Sequence, residues 1–127
     1  MCIQSADRES LWFGAPVREI EPEERGLPDG ESLYKLIGSR WVVAAMRELR
    51  GAGVRYNALH RRLGGVSHKV LTQTLRRLQR AGIVTRRVWS TNPPHVEYAL
   101  TPRGLELLEN IERLERWAGA QGLLGSA

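Results

Sequence analysis

The chain has 127 residues, of which 42% are hydrophobic and 6% aromatic, enough for one domain with a modest core and too apolar for a disordered chain. No apolar run reaches membrane-spanning length, and the opening "MCIQSADRESLWFG" lacks the basic start and apolar centre of a secretory signal, so a cytoplasmic protein without membrane contact is expected. Cys2 is the only cysteine, which excludes an internal disulfide; a thiol without a role at a frayed terminus is expected, against a reactive thiol or a link between two chains.

The net charge of +5 is unevenly spread. Residues 1–34 hold three Arg against eight acids, residues 35–90 hold thirteen Lys and Arg against the single acid Glu48, and residues 91–127 hold three Arg against five acids. A middle that repels itself this strongly is destabilised unless a polyanion offsets it, and nucleic acid is the first candidate.

In chain order, residues 1–30 carry three prolines (Pro16, Pro22, Pro28), three glycines and several acids, and predict an irregular arm with an apolar knot at Leu11, Trp12 and Phe13. Leu33, Leu36 and Ile37 have helical spacing and stop at Gly38. A second stripe runs through Trp41, Val42, Val43, Ala45, Met46 and Leu49 to Gly51. "VRY" (Val54 to Tyr56) is long enough only for an edge strand, with Tyr56 packing it on the core. Asn57 can cap a third helix that turns Leu59 and Leu63 inward and ends at Gly64.

"GVSHKVLTQTLRRLQRAG" (Gly65 to Gly82) has the clearest punctuation in the chain. Ser67 stands at an N-cap position and Gly82 just past a helix end. Leu71, Leu75 and Leu78 recur at steps of four and three and make one buried face. His68, Lys69, Thr72, Gln73 and Arg76 make the opposite face, and no acid occurs from Ser67 to Gly82. The apolar period then becomes two: "IVTRRVW" (Ile83 to Trp89) and "HVEYAL" (His95 to Leu100) predict a hairpin, with "STNPP" as a stiff tip. Thr101 caps a last helix that has Pro102 at its first position. In that helix Leu107, Ile111, Leu114 and Ala118 follow a seam spacing, widened by Leu105, Leu108 and Trp117.

Compact helices followed by a hairpin predict an α+β, mainly helical fold: a winged helix-turn-helix with a two-stranded β wing and a C-terminal dimerisation helix. The expected organisation is an arm at 1–30, a winged-helix DNA-binding domain at 31–104, a dimerisation helix at 105–120 and a flexible tail at 121–127. In this plan the helix after Ser67 enters the major groove of double-stranded DNA. Lys69 can reach guanine or a phosphate, Gln73 can pair bidentately with adenine, and Thr72 can offer a hydroxyl or a methyl group. Arg76 and Arg62 are placed for phosphate; Ser67 can both cap the helix and touch the backbone; His68 is aimed at a base edge, a phosphate or water.

The segment from about Leu33 to Trp117 resembles the HxlR family of bacterial winged-helix regulators, relatives of the MarR group. The resemblance is carried by "LIGSRW", "MREL", "RYNAL", "VSHKVLTQTLRRLQRAGIV", "NPPHVEYALTPRG" and a final helix ending in "ERW". It implies a homodimer on a pseudo-palindromic operator, repressor or activator action, and a wing whose Arg86, Arg87 and His95 lie along DNA. The terminal helices would build the dimer, through Leu107, Ile111, Leu114 and Trp117; Trp12 and Phe13 either pack on the domain, clamp the partner or line an effector pocket. Many members carry a Cys-Pro before the first helix, where this chain has Leu27 and Pro28, so a thiol switch at that place is absent. His95 replaces a frequent Arg.

Other readings stay open at this level. Trp41 belongs to the core or to the wall of a small-molecule pocket, and Trp89 supports the wing or touches a DNA sugar. A regulator whose DNA binding is released by a small aromatic or electrophilic molecule is the alternative to a constitutive one. His60, His68 and His95 are 8 and 27 positions apart, a spacing that fits no metal site, and no cofactor motif or catalytic constellation is present, so no enzyme is expected.

Overall fold

The computed structural model describes residues 17–20, by their backbone, and residues 32–124. Its elements are β1 (Val17–Ile20), α1 (Leu33–Ile37), α2 (Arg40–Glu48), β2 (Val54–Arg55), α3 (Tyr56–Leu63), α4 (His68–Arg80), β3 (Val84–Trp89), β4 (His95–Leu100) and α5 (Pro102–Ala120). The fold is the expected winged helix-turn-helix. Knot residues Trp12 and Phe13, Cys2 and Leu27 lie outside the described residues.

The helix ends follow from local chemistry. The Ser67 side chain accepts a hydrogen bond from the Val70 amide at 3.1 Å and so caps α4. At its other end, the Ile83 amide donates to Leu78 O (2.9 Å) and the Gly82 amide to Gln79 O (3.1 Å), with Gly82 at φ 76°. This doubly bonded stop requires a residue that tolerates positive φ. α3 begins one residue before its expected cap: Arg55 holds the N-cap position without a side-chain bond, and Asn57 is already helical. The extended backbone of β2 runs directly into the helix, leaving no separate capping residue.

β2, β3 and β4 form an antiparallel sheet, with Val54 opposite Tyr98, Arg86 opposite Tyr98 and Arg87 opposite Glu97. A fourth strand was not expected. β1, inside the arm, pairs antiparallel with β3 from Val17 opposite Trp89 to Ile20 opposite Arg86, giving the order β1-β3-β4-β2. The unpaired N–H and C=O groups of the β3 edge explain why a four-residue segment between Pro16 and Pro22 takes strand form there.

The core lies between the sheet and the helices. Val42 and Met46 of α2, Leu59 of α3, Leu71, Leu75 and Leu78 of α4, Val84 of β3 and Leu108 of α5 are all buried. Full burial stabilises by about 1.5–3 kcal/mol per large aliphatic side chain, so the leucine face anchors α4 firmly. α5 is not an appendage. Its 19 residues extend about 28 Å. Its first half belongs to the body: Leu108 and Ile111 are buried, and Gly104 lies so near β3 that a Cβ would stand 2.2 Å from Ile83 O.

Candidate nucleic-acid interface

With three leucines and Thr74 turned into the core, α4 exposes Lys69, Gln73 and Arg76 on one side. Ser67 is exposed but its oxygen is engaged in the cap. Thr72 is half-buried, and its hydroxyl lies 3.4 Å from the Tyr56 hydroxyl. His68 is exposed at the first turn, yet its ring stacks on His60 with centroids 3.9 Å apart, and its Nδ1 lies 2.9 Å from the Tyr56 hydroxyl. Tyr56, expected only to pack the edge strand, therefore also reaches the functional helix.

Arg62 is exposed at the end of α3, beside Arg61. A cleft of about 820 Å³ opens between α3 and the hairpin tip, with Arg55, Asn57, Arg61, Arg86 and Thr91 among its polar lining and no acid among the described residues there. Arg55 stood in "RYNAL" without an assigned role, and Arg61 had no distinguishing motif in the sequence beyond the middle segment's charge.

The hairpin separates the three expected wing contacts. Successive strand residues face opposite sides of a sheet. Arg86 lines the cleft, whereas Arg87 sits across from Glu97 on the other face. His95, expected to lie along DNA, is half-buried and lines the cleft as well: its ring stacks on Trp89 at 5.8 Å, Thr91 Oγ1 is 3.2 Å from Nδ1, and Glu97 Oε2 is 3.5 Å from Nε2. The stack on Trp89 and the contact with Thr91 brace the hairpin. Trp89, 1% exposed, is likewise a support of the wing. The tip is tied by Thr91 Oγ1 donating to Pro93 O at 2.7 Å, and the Asn92–Pro93 bond is cis.

The second half of α5 presents a different surface. Leu114 and Trp117 are each 56% exposed, while Ile111 is buried and Leu107 half-buried against the protomer's own core. Of the residues expected to form the dimer seam, then, Leu114 and Trp117 stay exposed and Leu107 and Ile111 pack on the core. Arg47 bonds Glu115 and Arg50 bonds Glu112, with Arg47 Nε 3.7 Å from Glu112 Oε2, tying α2 to α5. The hydrogen bond from Arg50, joined by the charges of Arg50, Arg47 and Arg116, outweighs the opposing desolvation and holds the Glu112 carboxyl below its ordinary value. The Glu115 hydrogen bond raises Arg47 further.

Trp41 packs half-buried against the core under the Arg40 guanidinium, 4.7 Å above its ring. It lines neither the cleft nor a smaller groove of about 290 Å³ bounded by Leu33, Leu36, Ile83 and Leu107. Among the described residues no cluster of His, Cys, Asp or Glu can hold a metal ion, and no helix is long and apolar enough to cross a membrane.

Residues 36–123 match the family described as HxlR-like helix-turn-helix. The chain belongs to this family. Among HxlR-like relatives, the uncharacterized HTH-type transcriptional regulator YtfH of Escherichia coli is 41% identical over 85 residues, covering 67% of this chain and 68% of that one. A transcriptional regulator of the MarR family from Enterococcus faecalis superposes with a TM-score of 0.66 at 29% identity, over 75% of this chain and 93% of that one. The redox regulator HypR in its oxidized form gives 0.61 at 30% identity, over 68% and 90%. HxlR-like membership agrees with the winged helix-turn-helix fold seen here, in which β3–β4 is the hairpin wing.

Proposed function

We propose that the protein is a sequence-specific regulator of transcription that binds double-stranded DNA as a homodimer, and most simply as a repressor acting in the cytoplasm. One observation carries the reading: α4 is capped, anchored by buried leucines, and shows Lys69, Gln73 and Arg76 to the outside without an acid. Such a face suits the major groove, with Gln73 on a base edge and Arg76 on phosphate. Arg62, Arg61 and Arg86 extend the positive surface toward the wing, where the sugar-phosphate backbone would run. The exposed Leu114 and Trp117 are suited to a second copy, which would set two half-sites about one helical turn apart. The HxlR-like relatives, themselves transcriptional regulators, support the same conclusion.

Binding to a duplex from the protein's own upstream region, measured by fluorescence anisotropy across a salt series, tests the reading. Affinity should fall steeply and linearly on a logarithmic salt axis. Absent or salt-independent binding would refute it. A second reading, release of DNA by a small aromatic or electrophilic effector, is favoured by the apolar groove between α1 and α5. HypR is a redox regulator; here the sequence has Leu27 where many members have a cysteine, so a signal of that kind would need another receptor than a thiol at that position.

A further inference from the structure

Three aromatic side chains meet where α3 faces the start of α4. Tyr56 and His68 stack with centroids 5.7 Å apart and ring planes 24° apart; His68 and His60 stack at 3.9 Å and 9°. His60 Nε2 lies 2.8 Å from Val66 O. A carbonyl only accepts, so that nitrogen carries a hydrogen and locks His60 to the turn between the two helices. His68 is thereby clamped by its ring face, at the first residue of the helix, the end whose side chains meet base edges in a helix-turn-helix.

Its edge is fixed too. The Tyr56 hydroxyl is 2.9 Å from His68 Nδ1, and 3.4 Å from both His68 O and Thr72 Oγ1. A phenol has one proton to give, and His68 Nδ1, His68 O and Thr72 Oγ1 can each accept it; Nδ1 is the nearest of the three. A neutral His68 that accepts at Nδ1 carries its own hydrogen on Nε2. Nε2 is on the far edge of an exposed ring and makes no hydrogen bond among the described residues.

We propose that Tyr56 is a positioning residue that presents His68 to DNA as a fixed Nε2–H donor, directed at an acceptor on a base edge, guanine O6 or N7 foremost. The inference rests on α4 being the recognition helix. It assigns sequence discrimination to a side chain that its position alone left between base, phosphate and water. It also explains the tyrosine: a phenylalanine would fill the same space and stack equally well, but would leave the imidazole tautomer unset.

Duplexes selected from a random library by the wild-type protein provide the probe. His68→Ala should erase discrimination at one base pair per half-site, and replacing the guanine there by 7-deazaguanine or by cytosine should weaken wild-type binding about three- to tenfold, the worth of one hydrogen bond. Tyr56→Phe should lose the same discrimination while keeping the wild-type melting temperature and salt slope. In the free protein, long-range 1H–15N correlation spectra above the imidazole titration should show the Nε2–H form of His68 in the wild type and a mixture in Tyr56→Phe. Four results would overturn the proposal: wild-type discrimination in Tyr56→Phe; selection of a donor base edge at that position; a uniform loss over all sequences with a shallower salt slope in His68→Ala, which marks a phosphate contact; or the Nδ1–H form in the wild type. Failure of the wild-type protein to bind any duplex would instead refute the regulator reading, and the spectra would still decide the Tyr56–His68 arrangement.

Discussion

Thr101→Val removes a hydroxyl that joins three elements. Its Oγ1 accepts from the Gly104 amide at 3.0 Å, capping α5, and donates to Gly82 O at 2.6 Å, with Ile83 O at 3.1 Å. The residue is 9% exposed, and valine keeps its branched shape, so little cavity is added. A lost cap costs about 1 kcal/mol. The lost bond to a buried carbonyl costs about 1–2 kcal/mol more, for a sum of about 2–3 kcal/mol. For a chain of 127 residues this lowers Tm by about 6–15 °C. Urea denaturation followed by circular dichroism, at one fixed protein concentration because dimerisation would couple to folding, should show a lower midpoint with an unchanged slope. Thr101→Ser should recover at least half of the loss. A change below about 0.5 kcal/mol in the valine variant would refute the reasoning, since neither the cap nor the buried bond would then contribute.

Gln73→Ala should cost about 1–3 kcal/mol at one operator base and little elsewhere, read by anisotropy on base-substituted duplexes. Arg61→Ala, on the cleft, should weaken binding to all sequences alike and reduce the salt slope by about one. The depressed Glu112 carboxyl favours the folded state above its ordinary value of 4.5, and that contribution is lost as pH falls through the lowered one. Glu112→Gln should therefore flatten the acid side of the stability–pH curve, measured by thermal melting, and leave the neutral side's slope unchanged. Leu114→Asp should give a folded monomer by light scattering, with DNA affinity reduced at least tenfold; a dimer of undiminished affinity would move the interface elsewhere.

Much of this molecule is written locally. Ser67, Gly82 and Thr101 punctuate helices through bonds to residues three positions away, and Pro102 through its fixed φ at the first helical position, so the boundaries of α4 and the start of α5 could be read in order along the chain. The leucine period of α4 and the change to period two after Gly82 depend only on which side chains avoid water. The absence of acids on the exposed face of α4 is equally a property of the sequence. These features were sufficient for the winged-helix plan and for the central members of its candidate site, Lys69, Gln73 and Arg76.

What escaped the sequence depends on partners distant along the chain. β1 takes strand form beside an edge about seventy residues away, which no arm composition announces. Arg86 and Arg87 fall on opposite faces of any strand, and which of the two lines the cleft is decided by how the hairpin packs on the body. His95 is claimed by Trp89, Thr91 and Glu97, Ile111 by the core, and Tyr56 by a histidine of the next helix. Periodicity and capping are settled by neighbours in the chain, so the sequence by itself determined the helices, the hairpin and the character of their exposed faces. Which side chains remain exposed was decided only by the tertiary structure, because hydrogen-bonding capacity and apolar surface already satisfied inside the fold are no longer available to a ligand.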